Sequence, residues 1–297
     1  MVDVLLVRTA DRVKGVQAIF SHYDSLFASL KDKHVVIKPN FNTADPPPAS
    51  SDIQLIRELI SHLKACAAKK ITVAERAGPV DTHETMKTKG LFDLHQELGG
   101  FDIVNIAAIP EPEWELCQPP NSHWEDGFLV PKLMGQADAI IALPCLKTHQ
   151  YGGHFTLSLK LAVGLVPRDE RNYMGELHSS PHQRKMIAEI NQAYSPTLVI
   201  LDGVDAFVDG GPDKGKLVHP NVMLASTDRI AIDAVGVAVL RDHGTTPAVE
   251  KGSIFDQEQI ARAVELDLGV KTPSEIAIKG ADGLSDEYAS QLQELLA

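Results

Sequence analysis

The sequence predicts an α/β protein built on a mostly parallel, open sheet covered by helices on both faces. Three observations lead there. Short apolar, β-branched runs such as Val2–Val7, His34–Pro39 and Ala137–Leu143 recur along the chain. Segments of helical length and polarity lie between them, which is the rhythm of parallel strands joined by crossover helices. Polar clusters follow directly on several apolar runs, where the loops of an open sheet gather. With 297 residues and 44% hydrophobic content, the chain fits one large domain or two lobes sharing a sheet.

Taken in order, Val2–Val7 reads as the first strand and Arg12–Lys31 as a helical pattern after it. His34–Pro39 is the second strand. Ser51 with Gln54 three residues on reads as a capping box for a helix to about Lys64. Lys70–Ala74 is a third strand, and Thr82–Leu98 reads as two helical pieces broken near Gly90. Phe101–Ile106, Ala137–Leu143, Thr197–Leu201 and Asn221–Ala225 are further strands, and a helix begins at Ser226 or Thr227. Two segments interrupt the rhythm. Ala107–Phe128 is an irregular excursion rich in Pro, Glu and Trp, and Val166–Ser180 is charged and irregular. The organisation expected is a single domain over 1–297, with a largely helical extension from about Gly244 packed on the same body.

Composition excludes several classes of function. A formal charge of −12 and a pI near 5.4 argue against nucleic-acid binding, which depends on neutralising phosphates. Cys66, Cys117 and Cys145 are dispersed and odd in number, which fits a reducing compartment. Without a CxxC pair, no iron–sulfur cluster or four-cysteine zinc site is expected within the chain. The N-terminus reads as a strand, not a signal peptide, and no apolar run approaches bilayer length, so no membrane partner is expected and the location expected is cytoplasmic. The P-loop, Gly-x-Ser-x-Gly, His-Glu-x-x-His and the Rossmann glycine fingerprint are absent.

Four clusters carry the candidate chemistry. Lys38-Pro39-Asn40 closes the second strand, and a lysine there needs an anion or a route to solvent. The segment from Lys147 to Lys160 brings two lysines, His149, His154, Gly152, Gly153, Thr156 and Ser158 together after a buried strand. A helix places Thr156 and Lys160 on one face, and a strand aligns Thr156, Ser158 and Lys160 by its period of two. The favoured form is a helix starting after Gly152-Gly153, with its N-terminal amides aimed at a ligand. Asp202 ends the strand Leu198–Leu201, and Gly210-Gly211 form a turn that lets backbone approach a ligand. Asp228 suits a helix N-terminus, whereas Asp233, set among apolar residues, needs a partner, and a site lysine is the one expected.

The ordered set of motifs resembles the DUF362 family, prokaryotic proteins of unassigned function. The matching pieces are Lys38-Pro39-Asn40, Lys147-Thr148-His149, Thr156-Leu157-Ser158-Leu159-Lys160 with Gly164, His178, Asp202-Gly203, Gly210-Gly211-Pro212, and Ala225-Ser226-Thr227-Asp228 with Ile232-Asp233-Ala234. They span roughly 35 to 240, and Ile254–Gly269 resembles the family's C-terminal helical segment. Many relatives carry a ferredoxin-like module with iron–sulfur clusters, which this chain lacks, and Leu161-Ala162 departs from an asparagine common after the lysine. The resemblance implies that Lys38, Lys147, His149, Lys160 and Asp202 gather in one place.

The leading expectation is an enzyme acting on a small anionic molecule, a carboxylate or phosphate ester. Lys38 and Lys160 clamp the anion, His149 is the acid–base group, Lys147 is an electrophile or second proton carrier, and Asp202 orients one of them or holds a cation. Asn40, Gly152, Gly153, Thr156, Ser158, Gly210 and Gly211 supply further ligand contacts. A divalent metal is open as cofactor, with His149, His154, His178 and Asp202 as candidate ligands, and a homodimer and a separate redox partner are open as partners. The rival expectations are a carrier for an anionic cofactor or metal complex without turnover, and an assembly partner whose polar clusters form a buried network.

Overall fold

The computed structural model describes residues 1–168 and 170–296, with Glu170 through its backbone alone; Asp169, within the irregular 166–180 segment, and Ala297 lie outside the described residues. The strands are β1 (Val2–Arg8), β2 (His34–Pro39), β3 (Lys70–Glu75), β4 (Asp102–Asn105), β5 (Trp114–Cys117), β6 (Phe128–Pro131) and β7 (Ala139–Leu143). They continue with β8 (Cys145–His149), β9 (His154–Thr156), β10 (Leu198–Gly210), β11 (Gly215–Val218), β12 (Val222–Ser226) and β13 (Ile276–Gly280). The main sheet runs in the order β13-β1-β12-β10-β7-β2-β3-β4. All adjacent pairs on this path are parallel except those of β12, which is antiparallel to both β1 and β10. The fold is therefore α/β with a large, mostly parallel sheet.

Both faces of that sheet are buried, and strand alternation shows how. Val35 and Ile37 pack with the helices Arg12–His22 and Ile53–Ala65 on one side, while Val36 joins Met186, Ile187 and Ile190 on the other. Val4 and Leu6 face the helix Arg229–Asp242, which is buried along nearly its whole length and reads as apolar all round for that reason.

Local departures from the sequence reading have tertiary causes. The helix expected over Arg12–Lys31 is two, Arg12–His22 and Asp24–Ala28, parted at Tyr23, whose hydroxyl donates to Ala225 O at 3.2 Å. The helix after β2 is capped by Asp52, which accepts from the Gln54 and Leu55 amides, and not by Ser51; Ser51 instead turns inward to donate to Leu143 O. Gly152-Gly153 do not open a helix. They lie in the turn of the antiparallel hairpin β8–β9, and a short helix, Ser158–Leu161, starts only afterwards. The Ala107–Phe128 excursion contains β5 and leads into β6, its antiparallel partner, and it docks where buried Glu189 accepts from Ser122 Oγ, the His123 amide and Arg262.

Asp233 answers a question that the sequence left open. Its carboxylate accepts from the amides of Ser158 at 2.7 Å and Leu159 at 3.0 Å, so its partner is the first turn of Ser158–Leu161 and not a lysine. Burial pushes this carboxyl up to about 7 against those two amides. The short helix that does form thus turns its first amides to Asp233 and not to a ligand. Replacing Asp233 by Ala strands both buried N–H groups, and we expect a loss of about 2–4 kcal/mol in urea denaturation, with Asp233→Asn closer to wild type.

Candidate functional site

The chain leaves β2 towards β3 and β4 on one side and later returns to place β7 on the other side of β2. Such a reversal of strand order opens a crevice at the carboxyl ends of the strands. A cavity of about 860 Å³ lies there. Strand ends deliver its polar lining: Lys38 and Asn40 from β2, Glu75 and Arg76 from β3, and Lys147 and His149 from β8, which continues the line of β7 past Pro144. Period-two alternation puts Lys147 and His149 on the cavity side, while Thr148 between them turns away to donate to Phe207 O and Gly210 O. Among the described residues five basic side chains line the cavity (Lys38, Arg76, Lys147, Lys160 and Arg168) against two acidic ones, Glu75 and Asp213.

The three candidate lysines are not equivalent. Lys38 is buried and donates to Glu75 Oε1 at 2.5 Å and Pro39 O at 2.7 Å. Glu75 also accepts from the amides of Phe41 and Arg76. Burial pushes the Lys38 amine down, and the adjacent carboxylate opposes it, so Lys38 is committed to an internal pair. Lys147, fully buried, donates to Asn40 Oδ1 at 2.9 Å and Ala49 O at 2.5 Å, which occupies two of its three protons. Burial lowers it to about 8. Lys160 Nζ has no hydrogen-bond or ion-pair partner among the described residues. Burial first, then the charges of Lys147 and Arg76, bring it down to about 7.

His149 and Thr156 complete the inner wall. Burial, with Lys160, Lys147 and His178 adding to it, holds His149 well below 6.5, so it is neutral at pH 7. Its Nδ1 and the hydroxyl of Thr156 are both buried without a partner. Buried polar atoms of this kind remain available to hydrogen-bond a ligand. The glycines supply space. A Cβ at Gly153 would come within 2.7 Å of Lys160 Cε and 3.1 Å of His149 Nδ1, and one at Gly152, where φ is +83°, would strike Gln183 Oε1.

The structure thus brings Lys38, Asn40, Lys147, His149, Gly152, Thr156, Lys160 and His178 to one cavity, with Gly153 against its wall. It keeps five other expected residues away. Ser158 gives its amide to Asp233. Gly210 and Gly211, both at positive φ, shape the turn that brings Pro212 and Asp213 to the rim, and a Cβ at Gly211 would collide with Thr148 O. His154 faces Gln257, Arg184 and Glu258 instead of the cavity. Asp202 is paired through Arg12 Nε at 2.6 Å, and Arg12 also reaches Asp205 at 2.7 Å. Arg12 stands 190 residues from Asp202, so no local pattern announced the pair.

Glu75, Arg76 and Gln183 line the cavity from outside the four sequence clusters, and Asn42, one of the asparagines of the turn after β2, lines it too. Glu75-Arg76 carried a usable signal, since a charged pair ends a buried strand just as Lys38 does. Among the described residues no group of three or more His, Cys, Asp or Glu side chains is arranged to hold a metal ion; of the four candidate ligands His149 and His178 share the cavity, while His154 and Asp202 stand outside it. Among the same residues no helix is long and apolar enough to cross a membrane.

The Arg12–Asp202 pair gives a test of this separation. Arg12→Met leaves Asp202 buried and uncompensated, with an expected loss of about 3 kcal/mol in chemical denaturation. Any anion-induced shift in melting temperature is expected to persist in the variant.

The chain is 26% identical over 251 residues to the thylakoid-associated protein sll1697 of Synechocystis sp., covering 82% of this chain and 74% of that protein. Among solved structures it resembles the lactate racemase apoprotein of Thermoanaerobacterium thermosaccharolyticum, with a TM-score of 0.46 and 14% identity over 97% of this chain and 85% of that one. At that distance neither ligand nor reaction is carried over. The family described as a domain of unknown function, DUF362, matches residues 35–238, well over half of the chain, and the protein belongs to that family.

Proposed function

We propose that the protein is an enzyme acting on a small anionic molecule, a carboxylate or a phosphate ester, held in the cavity at the ends of β2, β3 and β8. The observation that carries this reading is Lys160, an amine with no partner among the described residues, set in a cavity where its neighbours are cations. Such an arrangement is costly in the empty protein and is relieved by an anion. Lys160, near 7, is the proton carrier: neutral, it takes a proton from the substrate or a bound water, and protonated, it stabilises the negative charge that develops. Lys147 has one N–H left to hold the anion, and the neutral His149 serves as a second acid–base group. Lys38, bound to Glu75, supports the site without touching the substrate, and Asp202, bound to Arg12, stands outside it. Dispersed free cysteines suit the reducing cytosol, where this reading has the protein act.

A second reading has one observation in its favour. The cavity, at about 860 Å³, lies in the upper part of the range of about 300–1,000 Å³ typical of pockets for larger organic ligands. A carrier of an anionic cofactor would use the same basic wall without turnover. Against a purely structural network stands the pairing pattern, since neither Asp202 nor Asp233 contacts any of the three lysines.

The test is a thermal-shift screen of wild type and Lys160→Ala against phosphorylated metabolites, small carboxylates and divalent metals. A compound that raises the midpoint by several degrees in wild type but not in the variant supports the site and identifies its ligand class. No response to any compound, with a variant that only melts earlier, overturns the reading. Turnover of the compound found separates enzyme from carrier.

Two predictions concern pH. An anion raises the affinities of Lys160 and Lys147 for protons, so binding takes up protons and weakens as pH rises through about 7 to 8. Calorimetry in buffers of different ionisation enthalpy measures that uptake. In the empty protein, a folded-state value near 7 against 10.5 unfolded means that Lys160 costs stability, fully below 7 and not at all above 10.5. Lys160→Met is therefore expected to be more stable than wild type at pH 7, on the order of 2 kcal/mol because the amine partly faces solvent, with the difference shrinking by pH 10. Denaturation in buffers free of multivalent anions reads this out.

A further inference from the structure

Gln183 opens the helix Gln183–Ile190 and reaches the cavity beside the turn of the β8–β9 hairpin. It is only 5% exposed. Its Nε2 lies 3.1 Å from Tyr151 O and 2.9 Å from His178 Nδ1. A backbone carbonyl only accepts, so the amide orientation is determined: the NH₂ end faces Tyr151, and Oε1 is turned towards Gly152. That NH₂ group has two protons and no acceptor capacity. One proton goes to Tyr151 O and the other to His178 Nδ1, which must accept it with a lone pair. The ring proton of the neutral imidazole is then on Nε2, an atom without a partner among the described residues on a ring that lines the cavity.

We propose that Gln183 is a positioning residue that locks His178 as the neutral, Nε2-protonated imidazole, so that His178 meets a ligand as a hydrogen-bond donor. An imidazolium would set a second N–H against the amide NH₂, and Lys160 and Arg76 oppose its charge as well. A metal at Nε2 would drive the proton to Nδ1 and create the same conflict, so His178 is a poor metal ligand in this setting. With Lys160 and the remaining N–H of Lys147, the cavity then offers donors to one ligand group, which selects an oxygen that only accepts, as in a carboxylate or phosphate. That last step rests on the proposed function; the tautomer does not.

The experiment uses the full chain, ¹⁵N-labelled and ligand-free, with the His178 ring signals assigned by their loss in His178→Phe. Long-range ¹H–¹⁵N spectra are expected to place Nδ1 at an unprotonated resonance, with a ¹⁵N–¹⁵N coupling across the hydrogen bond to the Gln183 side chain. An unrestrained imidazole favours the same tautomer, so the decisive comparison is Gln183→Glu. A carboxylate has no proton to give, and the ring is expected to reverse, with Nδ1 protonated. An unchanged tautomer in a folded Gln183→Glu protein, or absence of the coupling in wild type, overturns the proposal. If the variant does not fold, the wild-type coupling decides alone. Failure to find any anionic ligand would sink the proposed function and leave this coupling untouched, so the two failures are distinguishable.

Discussion

Three lysines drawn into one cavity, of which only Lys38 meets a carboxylate among the described residues, form the constraint that organises the site. Removing an ammonium from water costs several kcal/mol, and a protein tolerates it only by pairing the charge, by hydrogen-bonding it or by letting it lose its proton. All three solutions occur within one cavity. Lys38 is paired with Glu75, Lys147 is held by Asn40 and the Ala49 carbonyl, and Lys160, without a partner among the described residues, lowers its proton affinity. The gradation separates a supporting group from an anchoring group and a reactive one, although all three residues are lysines.

The scaffold that maintains this arrangement is rigid where the lysines attach. Lys38 and Lys147 stand on strands that are buried almost throughout. Lys160 sits on a helix of four residues, too short to be stable alone. Asp233, projecting from the central buried helix, grips the first two amides of that short helix and so determines where Lys160 stands. An acid that looks anomalous in an apolar helix is therefore a bracket for the site, acting through backbone and not through charge pairing. Gln183, Arg184 and Gln259 do comparable work on the hairpin turn, donating to the carbonyls of Tyr151, Gly152 and Gly153 respectively.

Part of the site was legible because strand ends are local properties. A buried run that terminates in Lys38-Pro39-Asn40 must present polar groups at the end of its strand, whereas β8, with only Cys145-Leu146 as an apolar signal, does not read as a strand, and the shared side of Lys147 and His149 emerges only in the fold. Glu75 and Arg76 obeyed the same rule and were passed over only because the third strand was ended one residue early. Gln183 carries no such mark, since a single amide says nothing of its neighbours until the fold assembles them.

The sequence by itself determined the α/β class, where most strands lie along the chain, and the polar close of β2 at Lys38 and Asn40. These follow from hydrophobic period and chain connectivity, which act over a few residues. The tertiary structure alone decided what each charge meets. Asp202 went to Arg12, Asp233 to two backbone amides, Glu75 to Lys38, and Lys160 to no partner among the described residues. Pairing depends on separations of a few ångströms between groups from tens to nearly two hundred residues apart, and local pattern carries no information about such distances.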